Sequence, residues 1–471
     1  MDHCRPPSSA RRSRASGSNG RRRTGRLSLL AAAAMLGLAC APANPLPRRP
    51  HPIIIIDIDT LRADHLGCYG YGRPTSPNID AFAREALRFE WAFSQAPNTP
   101  PSQTSILTGL YPSTHGMVYD EDRVPEEVVS LAEALAAAGY ATAGFHDGGY
   151  MRDVFRIGQG FTLYEDSNNE GLAASGPRAI SWLREHADRD FLLFVHTYDT
   201  HTPYAPRPPF DEMFMDGVPE PTPGFAPTTE TMEEIRLSKY TDTLLTLPPN
   251  DLAYAIALYD GEIRFVDTWF GEFWSVVHEL GLDRRATVVV LSDHGEEFQE
   301  HGSVLHEKLY ATVTRIPLII RLPGGRLARP VSEVVESIDL MPTLLELAGV
   351  PVPEGVQGSS LLPLILGQDS NGLHVAFSES PFFGRNRAVT LGRHHLILTR
   401  QNSSAELYDL AADPLEQADL ADARPPELEA MIGLQQGWEE RVAHSTFARS
   451  GEAAPLDEET LEQLRRLGYI R

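Results

Sequence analysis

The 471-residue chain is predicted to be an α/β protein: a large, mostly parallel sheet between helices, followed by a small C-terminal α+β subdomain. Short apolar runs alternate with amphipathic stretches such as "VVSLAEALAAAGY" and "DGEIRFVDTWFGEFWSVVHEL", the pattern of strands joined by crossover helices. The runs are continuous rather than alternating, which fits strands covered on both faces. Several of them end in Asp or His, and in open α/β sheets ligands bind outside the carboxyl ends of the strands.

Taken in order, the chain begins with a leader, residues 1–40. Ten of its 41 basic residues and only one of its 64 acidic residues fall in the first fifty. In "RRRTGRLSLLAAAAMLGLACAPANPLP" a basic region precedes a run of small and apolar residues, as in an export signal, and the run is short for a membrane span. Its "LGLAC" ending resembles a bacterial lipoprotein signal with Cys40 as the lipidated first residue; plain cleavage after Ala39 is the alternative. The expected address is therefore exported, in the periplasm or cell envelope, with membrane attachment through Cys40. Cys4, Cys40 and Cys68 are the only cysteines, so no internal disulfide framework is expected. The strongly acidic remainder excludes nucleic acid as a partner, because phosphate-backbone binding needs a basic face.

The body, residues 51–365, carries the chemistry. "HPIIIIDIDTLRADHLG" runs into Asp57 and Asp59, and "YATAGFHDGG" into His146 and Asp147. "FLLFVHTYDTHTPY" runs into His196, Asp199 and His201, and "ATVVVLSDHGEEFQEHG" into Asp293 and His294. Four strands delivering such residues to one edge predict a metal or acid–base site. Asp59, Asp293 and His294 supply two hard oxygens and an imidazole, a set suited to one divalent cation. In "APNTPPSQTSILTGLYPSTHG" three prolines surround Thr99, and Ser102 to Thr108 reads as a helix capped by Ser102 and stopped by Gly109. Thr99 is either a threonine in a tight turn or a fourth ligand activated as a nucleophile by the metal. The other histidines are placed to hold substrate oxygens or to move a proton.

At these residues the chain resembles the sulfatase family of the alkaline-phosphatase-like superfamily, over nearly all of the body. "IDTLRADHLGCYGY" is similar to the family's first metal-binding strand, "TPPSQTSILTGLYPSTHG" to its signature, and "SDHGEEFQEHGSVLHEKLYATVTRIPLII" to its second metal strand. "SIDLMPTLLELAGVP" and "ELYDLAADPLEQADLA" resemble later landmarks. The resemblance implies an alkaline-phosphatase-like sandwich that hydrolyses sulfate or phosphate esters, small or glycan-borne. His201 matches the family's "DPHxPY" histidine, His306 the Lys-or-His position four residues before Tyr310, and His115 the signature's trailing His-Gly. His301 is the alternative to His306. On these matches Thr99, His201, His306 and His115 are expected to be catalytic, and Gln103, His301 and His146 to touch substrate.

The chain also departs from the family pattern. Thr99 stands where Cys or Ser would mature to formylglycine, Gln103 where Arg is usual, Thr60 where a second Asp is usual, and His294 where Asn is common. Asp59, Thr99, Asp293 and His294 instead resemble the four-ligand site of threonine-dependent relatives that transfer phosphoethanolamine or phosphoglycerol. Those relatives hold zinc or manganese and the formylglycine enzymes calcium, so the ion is left open among Ca, Zn and Mn. A phosphoryl-group transferase and a non-catalytic ester-binding protein remain as alternatives to the hydrolase. Residues 373–471 are expected to form the C-terminal subdomain: short antiparallel strands, a helix near "PPELEAMIGLQQGWEERVA", and the amphipathic terminal helix "LDEETLEQLRRLGY", read as packing.

Overall fold

The computed structural model describes Leu46 and residues 51–119, 122–241, 243–368, 372–382, 386–400, 403–423, 425–443, 454–467 and 469. The leader, including Cys40, lies outside the described residues. The strands in chain order are β1 (Ile53–Ile58), β2 (Leu87–Phe93), β3 (Ala141–His146), β4 (Leu163–Asp166), β5 (Phe191–Thr197), β6 (Thr287–Leu291), β7 (Glu297–Phe298), β8 (Val304–Leu305), β9 (Arg315–Arg321), β10 (Arg329–Glu336) and β11 to β14 (Val375–Ser380, Asn386–Leu391, His394–Thr399, Ser404–Asp409). Eight of them form one sheet in the order β10-β2-β9-β6-β1-β5-β3-β4. Only β9 runs against its neighbours β2 and β6; the other pairings are parallel. This is the expected mostly parallel sheet.

The principal helices are α1 (Thr99–Thr108), α2 (Leu131–Ala137), α3 (Leu172–His186), α4 (Pro249–Glu279), α5 (Leu340–Ala348), α6 (Pro425–Ala443) and α7 (Glu458–Arg466). They cover both faces of the sheet, which explains the unbroken apolar runs. In β1, Ile53 and Ile55 join a core with residues of α1, α2 and α5, while Ile54, Ile56 and Ile58 join a second core with α3 and α4. All five are fully buried, and each is worth roughly 1.5–3 kcal/mol relative to an exposed side chain. Strand alternation places Asp57 on the same face as Ile53 and Ile55, towards α1.

β11 to β14 form the expected antiparallel sheet, which shares an apolar cluster (Tyr111, Ile338, Phe377, Val389, Trp438) with the main body and α6. The terminal helix α7 leaves that sheet. Its Leu464 and the following Leu467 enter the α1 side of the main core, beside Tyr150 and Met151.

One boundary differs from expectation. Helix α1 begins at Thr99, not Ser102, with Asn98 as the flanking extended residue and both prolines inside the first turn. Proline is tolerated there because first-turn N–H groups have no intrahelical acceptor. Ser102 is therefore not the cap: its hydroxyl donates to the Asp293 carbonyl at 2.7 Å, tying α1 to the end of β6. Gly109 stops the helix as expected, at φ 68°, where a Cβ would also meet Val356.

Candidate active site

β6, β1, β5 and β3 are neighbours running in one direction, so their carboxyl ends meet at one edge. β2 is antiparallel to β9, which is antiparallel to β6, so the chain leaving β2 delivers α1 to the same edge. Register brings Asp57 level with His196 on one side and Leu291 on the other. β1 ends in a strained turn: Thr60 has φ 53°, its hydroxyl donates to the Thr200 carbonyl at 2.8 Å, and its own carbonyl accepts from Tyr259. Thr60 thus holds the backbone beside Asp59, with its side chain turned to Thr200.

Thr99 sits at the centre, fully buried. Its Oγ1 donates to Asp59 Oδ2 at 3.0 Å and lies 3.3 Å from His294 Nε2. Asp59, His196 and Asp293 each present a ligand atom within 4.8 Å of the others, and His196 Nε2 is 3.4 Å from Asp59 Oδ2. Both carboxylate oxygens of Asp57, Oδ1 of Asp59, Oδ2 of Asp293 and both ring nitrogens of His196 are buried with no hydrogen-bond partner among the described residues. Burial first, then the charge of Asp293, holds the Asp57 and Asp59 carboxyls well above their ordinary range. Burial alone would push His294 down, but Asp293 and Asp59 outweigh it and hold its pKa above the ordinary value. The unpaired oxygens of Asp59 and Asp293, with one ring nitrogen of His196, fit a divalent cation, which would satisfy them together.

Around this cluster, His306 Nδ1 is 3.2 Å from Glu296 Oε1, and its ring lies 4.4 Å from that of His294 and 5.1 Å from that of His201. Burial, then the neighbouring histidine, depresses the pKa of both His201 and His306. Burial pushes Glu296 up to about 8, with Tyr204 donating to it at 3.0 Å. Gln103 projects from the first turns of α1 beside Asp57.

Three expected residues stand apart from Thr99. His115 packs behind α1, where it accepts from the Met117 N–H and its Nε2 meets Ser105 Oγ at 3.1 Å; burial pushes its pKa down to about 3. His301 stacks on Tyr310 at 3.4 Å and bonds Glu297 and the Leu415 carbonyl, joining the β7–β8 hairpin to the C-terminal part. His146 lies behind His196, its ring tilted against that of Tyr164 at 4.2 Å and accepting from the Gly148 N–H. Asp147 and Asp199 have partners of their own: Asp147 accepts from Ser167, Thr197 and the Tyr198 N–H, and Asp199 from the Leu172 N–H at the start of α3.

Two residues join the centre that sequence reasoning did not assign. His196 stood out only as a strand-end histidine. Tyr469, 370 residues from Thr99, places its hydroxyl 3.1 Å from Thr99 Oγ1 and 3.0 Å from His201 Nε2. Beside His201 a cleft of about 400 Å³ opens, lined by Tyr198, Arg207, Glu262, Phe265 and Arg466.

The sulfatase family profile matches residues 51–350, and the C-terminal profile of N-sulphoglucosamine sulphohydrolase matches 299–436. An arylsulfatase of Clostridium perfringens is 26% identical over 434 residues, covering 79% of this chain and 90% of its own. Among solved structures, one in complex with its substrate D-glucosamine-2-N,6-O-disulfate has a TM-score of 0.69 at 20% identity, covering 84% of this chain and 99% of its own. The phosphonate monoester hydrolase of Agrobacterium radiobacter has a TM-score of 0.66 at 20% identity, covering 85% and 97%. These matches span the main sheet and the antiparallel sheet alike, and the chain belongs to the sulfatase family of ester hydrolases within the alkaline-phosphatase-like superfamily.

Proposed function

We propose that the protein is an exported, metal-dependent hydrolase in which Thr99 is the nucleophile, with a preference for phosphate monoesters over sulfate monoesters. The observation that carries the reading is the Thr99 hydroxyl, hydrogen-bonded to Asp59 among buried carboxylate oxygens that lack partners. Asp59, Asp293, His294, His196 and Thr99 are the residues that would hold the cation. A divalent ion held there would neutralise the carboxylates and lower the pKa of the neighbouring hydroxyl towards the working range.

Position does the rest. Thr99 opens α1, where the aligned peptide dipoles of the helix favour developing negative charge. As the Thr99 Oγ1–phosphorus bond forms, the bond from phosphorus to the ester oxygen breaks, the hydroxyl proton passes towards Asp59, and the departing alkoxide takes its proton from water. Water then hydrolyses the phosphothreonine. A sulfothreonine lacks the elimination route of a formylglycine hydrate and is expected to turn over slowly. The cleft beside His201 offers room for a small or glycan-borne alcohol.

The test measures p-nitrophenyl phosphate and p-nitrophenyl sulfate hydrolysis by wild type and Thr99→Ala, with metal analysis of both. Loss of several orders of magnitude in kcat is expected for the variant, with the fold and most metal retained. Retained activity would remove Thr99 as nucleophile, and faster turnover of the sulfate ester would overturn the preference.

A further inference from the structure

Helix α7 is fastened to the main body at several points. Asp457 caps its start by accepting from the Thr460 N–H, and the buried Gln463 side chain accepts from the Gly149 N–H at 2.8 Å while donating to Asp166 and Asn168. Thr229 donates to the Arg466 carbonyl, and Asn169 to the Gln463 carbonyl. The wall that receives the helix carries Gly148 and Gly149, both at positive φ. A Cβ at Gly148 would meet Gln463 Oε1 at 2.1 Å, and one at Gly149 would meet Leu467 at 2.5 Å. This is a built seat, and what it delivers is Tyr469. The ring packs edge-on against Tyr150 at 4.4 Å, which aims the hydroxyl between Thr99 and His201.

Proton placement gives the hydroxyl a direction. His201 Nδ1 faces the Thr202 carbonyl at 2.7 Å, an acceptor only, so Nδ1 carries the proton and Nε2 of the neutral ring accepts. Tyr469 is then the donor in that contact, while Thr99 gives its own proton to Asp59. An atom attacked by Thr99 must come within about 3–3.5 Å of Oγ1. Its oxygens then fall within reach of a hydroxyl that is itself 3.1 Å from Oγ1.

We propose that Tyr469 is a further catalytic residue of this site: its hydroxyl turns from His201 to donate a hydrogen bond to an oxygen of the ester group under attack by Thr99. The phenol keeps its proton throughout. The assignment rests on the hydrolase reading above, and it places Tyr469 inside the reaction centre.

Tyr469→Phe removes the hydroxyl and keeps the ring against Tyr150; truncation after Leu467 removes residues 468–471 and keeps α7 seated. The experiment measures kcat and KM for p-nitrophenyl phosphate and p-nitrophenyl sulfate, and orthovanadate binding by calorimetry. Removing one well-placed donor to developing negative charge costs roughly 10²-fold in kcat, so kcat should fall by about that factor in both variants. Vanadate should bind more weakly while Tm is unchanged for Tyr469→Phe. Unchanged kcat and vanadate affinity in Tyr469→Phe overturn the assignment. A rise in kcat/KM on either change would make the tail a plug rather than a catalytic element and overturn it equally. Wild type that turns over neither ester sinks the hydrolase reading and this assignment together, whereas an active wild type with an indifferent Tyr469→Phe sinks this assignment alone.

Discussion

Thr99 Oγ1 has one proton, which it gives to Asp59 Oδ2, while the Tyr469 hydroxyl and His294 Nε2 lie 3.1 and 3.3 Å away. The carboxylates around it divide their work atom by atom. Asp293 Oδ1 accepts the His294 N–H at 2.8 Å, whereas Oδ2 faces the cluster without a partner among the described residues. Asp293→Asn can keep the first contact through its amide carbonyl and removes the charge from the second. Wild type is expected to purify with about one divalent ion per chain and Asp293→Asn with a small fraction of that, read by elemental analysis, because a neutral amide is a poorer ligand than a carboxylate. Full occupancy in the variant would remove Asp293 from the ligand set. Histidine was where the sequence was hardest to read. An imidazole serves equally as a buried packing group and as a reacting one, and the difference lies in partners far along the chain. His115, in the signature, turns to Ser105 and Met117, and His301, beside the second metal strand, joins the C-terminal part; His196, inside an apolar run, faces Asp59.

At the scale of elements, strand ends were legible because apolar runs stop where the sheet stops, and the chain must place polar residues there. The start of α1 was not, since prolines read as a break although the first turn of a helix accepts them. Helix α7 was legible as amphipathic, but its seat was not: the glycines and backbone groups that receive it lie about three hundred residues upstream, with no local pattern pointing to them. Gln463 is the test of that seat. Gln463→Ala deletes its bonds to Gly149, Asp166 and Asn168 and leaves a buried N–H without its acceptor, a loss of roughly 1–3 kcal/mol. Thermal unfolding should move down accordingly. If α7 is what delivers Tyr469, kcat should fall together with the stability of the helix, in the direction of Tyr469→Phe. Hydrogen exchange that speeds up in α7 while kcat stays at the wild-type value would separate the helix from catalysis.

Across the whole molecule, the buried acids make stability depend on the cation and on pH together. Asp57 and Asp59 are fully buried within reach of Asp293, and burial first and that charge second hold their carboxyls well above the ordinary value of 3.8. In the unfolded chain they ionise near that value. Between it and the raised native values the metal-free native state binds more protons than the unfolded state, so its stability falls as pH rises. Below about pH 4 both states are protonated and the penalty vanishes. A bound cation needs Asp59 and Asp293 ionised and its charge offsets their repulsion with Asp57, so the loaded protein does not pay that penalty; its own stabilisation grows as protons cease to compete for the ligands. The gap between the melting temperatures of loaded and chelator-treated protein should therefore widen from pH 5 to pH 8. Calorimetry of both forms at constant ionic strength measures it. Asp57→Asn should narrow the gap from the metal-free side, by raising the melting temperature of the chelator-treated protein at pH 8. A gap independent of pH, or one that narrows as pH rises, would mean that no bound cation offsets the charge of these carboxylates.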